Sequence, residues 1–322
     1  MKVGEIERLS ADEWSALLAV SPQRTRFLDP DFLDLFDVPV RYWGLNRKGV
    51  VIAGMPVIDA SRFGGRALPW CYYQGIVYRD EVWRSAPAKR TQYTIEVSEA
   101  LATGVAMEEA QFSISLSPAL SDVRGLDWVH YHDPSRPRLV LQPRYTGIAP
   151  IKGETPESLR QRCRSARRQE EGYAKKREGL VATTDGTIDE LIGLYRATFE
   201  RQGVDVPVTE IELLRAYTQY FMDAGVGSLL AVRDASGQAL AVAQVFTDYD
   251  GTVHVPVIGT GETRYGGTLL YFHILDEALK QDALAVDFNG ANSPKRAYFK
   301  HSMGADAVLY FEASWNAAQG TA

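Results

Sequence analysis

The residues best suited to chemistry follow a predicted strand near the end of the chain. The apolar run from Ala283 to Phe288 predicts a strand that contains Asp287. Turn-forming residues follow from Asn289 to Pro294, and a short predicted helix then carries the pair Phe299-Lys300. Polar groups at the carboxyl end of a strand, beside a helix that bears a lysine, are typical of a crevice site. An ordinary strand–turn–helix connection with a surface lysine is the alternative.

The composition limits the class of protein. The chain has 322 residues, 45% hydrophobic and 24% charged, which is typical of a globular protein long enough for two domains. The net charge of −6 argues against indiscriminate binding to nucleic acid, although a local basic patch is compatible with it. Only two cysteines occur, Cys71 and Cys163, which suits a reducing compartment. We expect no signal sequence and no membrane span, and therefore a cytoplasmic protein that is compatible with a monomer.

The predicted secondary structure repeats. Each half of the chain reads as helices, an antiparallel hairpin, a strand, a helix and a further strand. Such self-similarity indicates a duplicated domain. We therefore predict an α/β protein of two domains, residues 1–150 and 151–322, each with a mixed central sheet flanked by helices, and a cleft between them. Pro143 and Pro150 lie in the predicted connector.

Three stretches of the second half resemble known acyltransferases. The first is the arginine-rich run from Arg160 to Arg168, which leads to Gly179. The second runs from Leu194 through Thr198 and Arg201 to Gly203, and the third extends from Gly267 through Asp287-Phe-Asn-Gly and Phe299-Lys300 to Ala305. Together, over about residues 156–312, they resemble the GNAT acyltransferase fold. With the duplication, the chain looks like a member of the Fem family of aminoacyl-tRNA-dependent transferases.

Two departures from the Fem pattern bear on the acceptor. The second half has no heptad stretch to match the coiled-coil arm of many Fem enzymes. The first half has no clear match to the lysine and tryptophan by which some members hold a nucleotide-linked cell-wall precursor. The acceptor class therefore stays open between a peptide, an amino sugar and an antibiotic-like molecule.

The resemblance implies an enzyme that joins an aminoacyl group to an amine by direct attack, without a covalent enzyme intermediate. Such a reaction passes through a tetrahedral oxyanion, which a fixed cation stabilises. We predict that Lys300 supplies this charge and that Phe299 excludes water. Asp287 and Asn289 would orient the attacking amine, with stabilisation of the turn as the alternative role. A non-catalytic GNAT duplicate that binds tRNA or protein is the alternative to an enzyme.

A glycine-containing run bears on the identity of the donor. GNAT enzymes bind the pyrophosphate of coenzyme A with a glycine-rich turn at a helix N-terminus. Here Arg264, Gly266 and Gly267 lie in the corresponding run, but Leu269 stands at the last small position, where we expect it to crowd a phosphate. This favours aminoacyl-tRNA as donor, with no bound cofactor, over acyl-CoA as the alternative. The alternative is that Gly266 and Gly267 simply begin a helix and bind no anion.

A basic helix is the second predicted contact with the donor. Thr155 and Pro156 are typical of a helix start, and the pattern predicts one helix from Pro156 to Glu178. At about 100° per residue, Arg164, Arg167 and Arg168 share one face. Such a face is commonly just solvated. In an acidic chain, we instead predict that it contacts phosphates of a tRNA acceptor arm.

Residues from both halves are predicted to bind the acceptor. Within the second resembling stretch, Thr198 and Arg201 are placed on the acceptor side. In the first half, Trp43 and Tyr73 could line the cleft, with burial in the core of that half as the alternative. No metal site is expected, because His130 and His132 lack a third ligand. His254, in a predicted strand, is expected to be a core histidine.

Overall fold

The computed structural model describes residues 4–64 and 67–320. The chain forms two compact units: unit 1 comprises Met1–Arg144 and Leu309–Ala322, and unit 2 comprises Tyr145–Val308. The sequence pattern divides the chain once, after residue 150, whereas the chain in the structure enters unit 2 at Tyr145 and returns to unit 1 at Leu309. The return has a packing reason, because Ala313 and Trp315 belong to the hydrophobic core of unit 1.

Unit 1 combines five helices with an antiparallel sheet among its described residues. Its helices are α1 (Ala11–Ala19), α2 (Pro30–Asp34), α3 (Asp80–Trp83), α4 (Pro87–Glu108) and α5 (Arg124–Asp127). Its strands are β1 (Glu5–Leu9), β2 (Val40–Arg47), β3 (Val50–Ile58), β4 (Val77–Tyr78) and β5 (Gln111–Ser115). Strands β1 to β4 form one antiparallel sheet in that order. Strand β6 (Val140–Pro150) begins in unit 1 and ends in unit 2.

Local signals explain the first of these elements. Ser10 caps α1 and exchanges hydrogen bonds with Glu13 in a capping box, as the sequence pattern indicates. The side chain of Trp14 is fully buried, and its indole N–H donates to the carbonyl oxygen of Leu28 at 3.0 Å. Helix α4 buries Val97 and Leu101 in the core of unit 1.

Unit 2 carries the elements around Lys300. Its helices are α6 (Pro156–Arg162), α7 (Ser165–Lys176), α8 (Ile188–Glu200), α9 (Val208–Asp223), α10 (Gly266–Lys280) and α11 (Pro294–Ser302). Its strands are β7 (Val181–Thr183), β8 (Gly227–Arg233), β9 (Ala239–Thr247), β10 (Thr252–Thr260) and β11 (Ala285–Asp287). Strand β12 (Asp306–Asn316) starts in unit 2 and runs back into unit 1, where it pairs with β5.

The strands of unit 2 lie in the order β6-β11-β10-β9-β8-β7. Strands β10 and β11 are parallel and are joined by α10, while their other pairings in the unit are antiparallel. The parallel register ends at the pair His254–Asp287, although β10 continues to Thr260. An irregularity in the β9–β10 register follows directly, between His254 and Val257. The two parallel strands therefore separate at this point.

The predicted basic helix from Pro156 to Glu178 is wrong in one respect, because the structure has two helices there. Cys163 and Arg164 are extended between α6 and α7. The Arg164 N–H donates to the carbonyl oxygen of Ser302 at 3.0 Å, and Cys163 is buried in the core. The Arg168 guanidinium donates to the carbonyl oxygens of Arg160 and Cys163, at 3.1 and 2.6 Å. These contacts satisfy backbone groups that a continuous helix would pair internally.

Candidate functional site

Lys300 extends from α11 to the turn that follows β11. Its ammonium group donates hydrogen bonds to the carbonyl oxygens of Phe288 at 2.7 Å, Gly290 at 2.9 Å and Asn289. Asn289 and Gly290 adopt left-handed backbone conformations, with φ of 50° and 46°. An ammonium has three N–H groups, so all of them bind this turn. Lys300 thus fixes the point at which β10 and β11 separate.

The charge of Lys300 is tuned by its surroundings. Burial lowers the pKa of Lys300 to about 8, partly opposed by the negative charge of Asp287 and reinforced by the positive charge of Arg296. The side chain is half-buried. It is therefore cationic at neutral pH and loses its charge in the mildly alkaline range.

Asp287 and Asn289 are packed inside unit 2, and each is 1% exposed. Oδ1 of Asp287 accepts hydrogen bonds from the Thr146 hydroxyl at 2.5 Å and from the Asn289 N–H at 2.8 Å. Oδ1 of Asn289 accepts from the Val255 N–H at 3.0 Å, which ties the turn to β10. These hydrogen bonds stabilise the turn, which is the alternative role considered for Asp287 and Asn289. In this geometry the two side chains hold the turn whose carbonyl oxygens bind Lys300, and their predicted role in orienting the amine stays a prediction.

His254 extends the same buried network. Its Nε2 lies 3.3 Å from Oδ2 of Asp248, and its Nδ1 lies 3.0 Å from the Asn289 amide nitrogen. Burial lowers the pKa of His254, but the hydrogen bond and charge of Asp248, with Asp287, outweigh that effect and raise it. The ring is 4% exposed and stacks on Phe246. His254 is thus a core histidine that holds the polar groups around the strand separation.

Phe299 lies between an aromatic ring and a cation. Its ring centroid is 5.0 Å from that of Tyr271, and the Arg167 guanidinium carbon lies 4.4 Å from its centroid. The residue packs against the hydrophobic core of unit 2. The predicted role in excluding water stays a prediction, and the observed role is to seat α11 on α7 and α10.

The start of α10 is occupied by a carboxylate. Oε2 of Glu170 accepts from the Thr268 hydroxyl at 2.7 Å and from the Arg167 guanidinium at 2.6 Å. Arg167 also donates to Oγ of Ser302 at 2.8 Å. Because the first turn of a helix carries partial positive charge, a carboxylate there is stabilised. Glu170 thus lies beside the first turn of α10, where it binds the Thr268 side chain and Arg167, close to the run that the sequence pattern assigns to a pyrophosphate.

The glycine run itself is only partly suited to a phosphate. The Gly266 N–H is taken by Oγ1 of Thr263 at 3.0 Å, whereas the space beside Gly267 is open to at least 4 Å. Arg264 is exposed, with its guanidinium over the Tyr265 ring. The expectation that Leu269 crowds this turn is wrong, because its side chain is 2% exposed and packs in the hydrophobic core.

The arginines of α6 and α7 do not share one free face. Arg160 binds Glu171 and Asp276, each at 2.8 Å, and Arg162 binds Asp306 at 2.8 Å. Arg167 is half-buried. Arg168 is exposed, and its guanidinium donates hydrogen bonds to backbone carbonyl oxygens. Arg164 is exposed, and no carboxylate of the described residues pairs with it. The predicted contact with tRNA phosphates stays a prediction, and of the three residues Arg164 suits it best.

Thr198 and Arg201 join α8 to the end of β10. The Thr198 hydroxyl donates to the carbonyl oxygen of Thr260 and accepts from the Thr260 N–H, both at 3.0 Å. Arg201 donates to the same carbonyl oxygen at 2.6 Å but is otherwise exposed. Their predicted acceptor role stays a prediction, and Arg201 is the better placed of the two because it faces solvent.

A second candidate site is a polar cavity of about 760 Å³ within unit 1. Alternate residues of a strand share one face of a sheet. Here the polar side chains of β5 and β12 lie side by side on the same face of the paired strands. The register pairs Ser115 with Glu312, Ser113 with Ser314, and Gln111 with Asn316, all of which line the cavity.

Two arginine–carboxylate pairs lie in the wall of this cavity. Arg41 binds both oxygens of Glu109, at 2.7 and 2.6 Å, and Arg144 binds Glu312 at 2.8 Å. Burial raises the pKa of Glu109, but hydrogen bonds from Arg41 and Trp43 outweigh it and hold that pKa below its usual value. None of these charged residues is among the predicted site residues. The alternating polar pattern of β12 is a sequence signal for Glu312, whereas Arg41, Glu109 and Arg144 lie outside β5 and β12.

Trp43 and Tyr73 contact residues that line the cavity. The Trp43 indole N–H donates to Oε1 of Glu109 at 2.9 Å, and Trp43 is 6% exposed. The Tyr73 ring contacts that of Tyr310, with centroids 5.4 Å apart, and is 7% exposed. Both residues are thus buried in unit 1, which is the alternative role considered for them. Each contacts a residue that lines the cavity.

Two further features concern the class of protein. Within residues 4–64 and 67–320, no group of three or more His, Cys, Asp or Glu side chains is arranged to hold a metal ion. In the same residues, no helix combines the length and the apolar character that crossing a membrane requires.

Comparisons with known proteins bear on both units. Residues 157–301 match the family described as "Acetyltransferase (GNAT) domain". No curated protein is significantly similar in sequence. Among solved structures, FemX covers 95% of this chain and 96% of its own, with a TM-score of 0.61 and 12% identity. L-PGS from Bacillus licheniformis covers 97% and 93%, with a TM-score of 0.55 and 13% identity.

A third solved structure is a tandem GNAT protein from the clavulanic acid biosynthesis pathway. It covers 97% of this chain and 98% of its own, with a TM-score of 0.50 and 12% identity. The predicted α/β fold with duplicated GNAT domains is therefore confirmed. The chain has the tandem GNAT fold that FemX shares, and residues 157–301 match the GNAT domain family.

Proposed function

We propose that this chain transfers an aminoacyl group from aminoacyl-tRNA to an amine acceptor and forms an amide bond. The observation that carries the choice of donor is the hydrogen bond between Glu170 and Thr268 at the start of α10. A GNAT enzyme that uses coenzyme A needs this helix end for a pyrophosphate. The Glu170 carboxylate lies beside this helix end and disfavours a further anion there, with part of its charge offset by Arg167 at 2.6 Å, so a donor held by other contacts fits better.

The proposed reaction is a direct displacement. The neutral amine of the acceptor attacks the ester carbonyl carbon of the aminoacyl group, and the carbonyl oxygen becomes an oxyanion. The new C–N bond is retained and the bond to the ribose oxygen of the tRNA breaks. The proton lost by the amine ends on that ribose oxygen, so atoms and charges balance without a covalent enzyme intermediate.

Lys300 is the proposed source of positive charge for the oxyanion. The ammonium is held by three carbonyl oxygens at the place where β10 and β11 separate. Because the turn fixes the ammonium in advance, its positive charge is in place before the oxyanion forms. One of its N–H groups must leave a carbonyl oxygen to bind the oxyanion directly. Otherwise its effect is that of a nearby charge.

The cavity of unit 1 is the proposed acceptor site. Its walls offer hydroxyl, amide and carboxylate groups from β5 and β12, which suit an acceptor rich in hydrogen-bonding groups. Arg41 is fully engaged by Glu109 in a bidentate pair and so contributes no free cation for an anionic ligand. An amino sugar or a peptide fits this description.

Transfer assays with two donors test the proposal. The purified chain is incubated with a panel of amino sugars and peptides, and with either labelled aminoacyl-tRNA or labelled acetyl-CoA. We expect a labelled amide from aminoacyl-tRNA only. A product from acetyl-CoA alone would establish the acyl-CoA alternative. The absence of product from both donors, with retained tRNA binding, would favour the non-catalytic binding module.

A further inference from the structure

The outer face of α11 presents an aromatic ring to solvent. Tyr298 is 77% exposed, the largest value among the exposed large hydrophobic side chains of the described residues. Its helix is fixed from the inner side, since Phe299 packs on Tyr271 and Lys300 binds the turn after β11. The ring therefore stands on a rigid support, next to the residue assigned to the oxyanion.

The surroundings of Tyr298 are positively charged. Residues 291–304 include Lys295, Arg296 and Lys300 but no Asp or Glu, in a chain whose net charge is −6. Lys295 and Arg296 are exposed, and no carboxylate of the described residues pairs with either of them. Arg296 is close enough to Lys300 to lower its pKa.

Arg164 extends this charge at the other end of the helix. Its backbone N–H binds the carbonyl oxygen of Ser302, the last residue of α11, and its side chain is exposed. The neighbouring Arg160, Arg162 and Arg167 each hold a carboxylate. Unpaired cations repel one another, so a negatively charged partner beside the exposed ring would relieve that repulsion.

An exposed ring flanked by unpaired cations suits single-stranded nucleic acid. Bases stack on aromatic rings, and lysine and arginine neutralise the phosphates. The nine residues of α11 span roughly 14 Å, about the length of four stacked nucleotides. The ester bond of an aminoacyl-tRNA is on its terminal nucleotide, so the last nucleotides must lie beside the catalytic lysine.

We infer that Tyr298, together with Lys295, Arg296 and Arg164, forms the contact surface for the single-stranded 3′ end of the tRNA donor. Tyr298 stacks on a base near the terminus, and the three cations bind the adjoining phosphates. This assignment rests on the proposed function, because it takes aminoacyl-tRNA as the donor.

Binding of fluorescent deacylated tRNA, measured by anisotropy at fixed salt, tests the surface. Tyr298→Ala should weaken binding about 5- to 100-fold, since stacking contributes on the order of 1–3 kcal/mol per base. Tyr298→Phe should bind nearly normally. The double variant Lys295→Glu/Arg296→Glu should also reduce the salt slope by roughly 1.4 units, for two lost single-strand phosphate contacts. Tyr131→Ala is the matched control, since Tyr131 is 55% exposed in unit 1.

A tRNA that lacks its single-stranded 3′ nucleotides gives the decisive comparison. It should bind the wild type more weakly than intact tRNA binds Tyr298→Ala, because the three cations lose their phosphates as well, and the Tyr298 substitution should then have no further effect. Equal binding of intact tRNA to wild type and Tyr298→Ala would overturn the surface. The surface would also be overturned if Tyr298→Ala weakened the binding of truncated tRNA by the same factor as the binding of intact tRNA. If the variant also transfers aminoacyl groups normally, the surface fails and the proposed function stands; transfer from acetyl-CoA alone removes the function itself.

Discussion

Oε2 of Glu170 lies 2.7 Å from the Thr268 hydroxyl oxygen, at the first turn of α10. The same oxygen accepts from Arg167, whose guanidinium lies over the Phe299 ring. One carboxylate therefore connects the start of α10 to α7 and, through Arg167, to the helix that bears Lys300. A negative charge therefore already lies beside the first turn of α10.

Replacing Glu170 with Gln should make the start of α10 receptive to an external anion. The substitution keeps the shape but removes a negative charge near the helix dipole, so we expect acetyl-CoA to bind several-fold more tightly than to the wild type. Isothermal titration calorimetry measures this. Glu178→Gln, on an exposed residue after α7, is the control. Unchanged affinity for acetyl-CoA would show that Glu170 does not decide the donor.

Lys300→Ala should reduce turnover about 10²- to 10³-fold with little change in KM, because an oxyanion partner acts mainly in the transition state. Steady-state kinetics with both substrates varied measures the two effects. A circular-dichroism melt checks that the turn after β11 still folds without the ammonium.

The pH dependence separates charge from mere support of the turn. In the proposed mechanism Lys300 acts in its protonated form. Because burial lowers its pKa to about 8, the rate should fall as pH rises above about 8. Lys300→Arg stays charged over this range and should lack the fall, whatever its absolute rate. A wild-type rate that stays level or rises from pH 8 to 9.5, while the protein stays folded, would remove the charge of Lys300 from the mechanism.

Arg160→Gln should destabilise the protein without affecting RNA affinity. Its partner Glu171 is 8% exposed and keeps only Lys175, at 2.7 Å, when Arg160 is removed, so we expect a loss of about 2 kcal/mol from the missing charged hydrogen bonds. Urea unfolding should show the loss, and tRNA anisotropy at several salt concentrations should be unchanged. The outcome distinguishes Arg160 from Arg164, for which the expected effects are the reverse.

Ser314→Trp should obstruct the cavity of unit 1. Ser314 is exposed on β12 and lines the cavity, so a large ring can be placed there without disturbing the core. We expect the KM for the acceptor to rise at least tenfold, with the KM for the donor and the melting temperature unchanged. Val181→Trp, at an exposed position of β7, is the control. Equal acceptor KM values for both variants would place the acceptor elsewhere.

The parts of the fold that local sequence determines were predictable. Helix α8 begins where Thr187 and Glu190 form a capping box, and its apolar spacing carries it to Glu200, as the pattern indicates. The break between α6 and α7 was not predictable, since it depends on a hydrogen bond from Arg164 to Ser302, far along the chain. Which arginines of α6 and α7 pair with carboxylates, and which stay exposed, also depends on tertiary contacts.

The candidate sites show the same division. The place of Lys300 after a strand and a turn followed from residue types, but the burial of Asp287 and Asn289 depends on Thr146 and β10. The cavity of unit 1 requires the pairing of β5 with β12, whose residues lie about two hundred positions apart. One sequence without aligned relatives carries no signal for such a pairing.

The return of the chain to unit 1 sets the order in which the protein can fold during synthesis. Trp315 and Ala313 complete a core to which β2, β3 and α4 contribute much earlier. All of Tyr145–Val308 is therefore translated while the first unit still lacks its final strand. Unit 2 is available to fold first, and the apolar face of β5 must wait for β12. A chain truncated after residue 308 should thus expose unit 1 to proteases while unit 2 resists them.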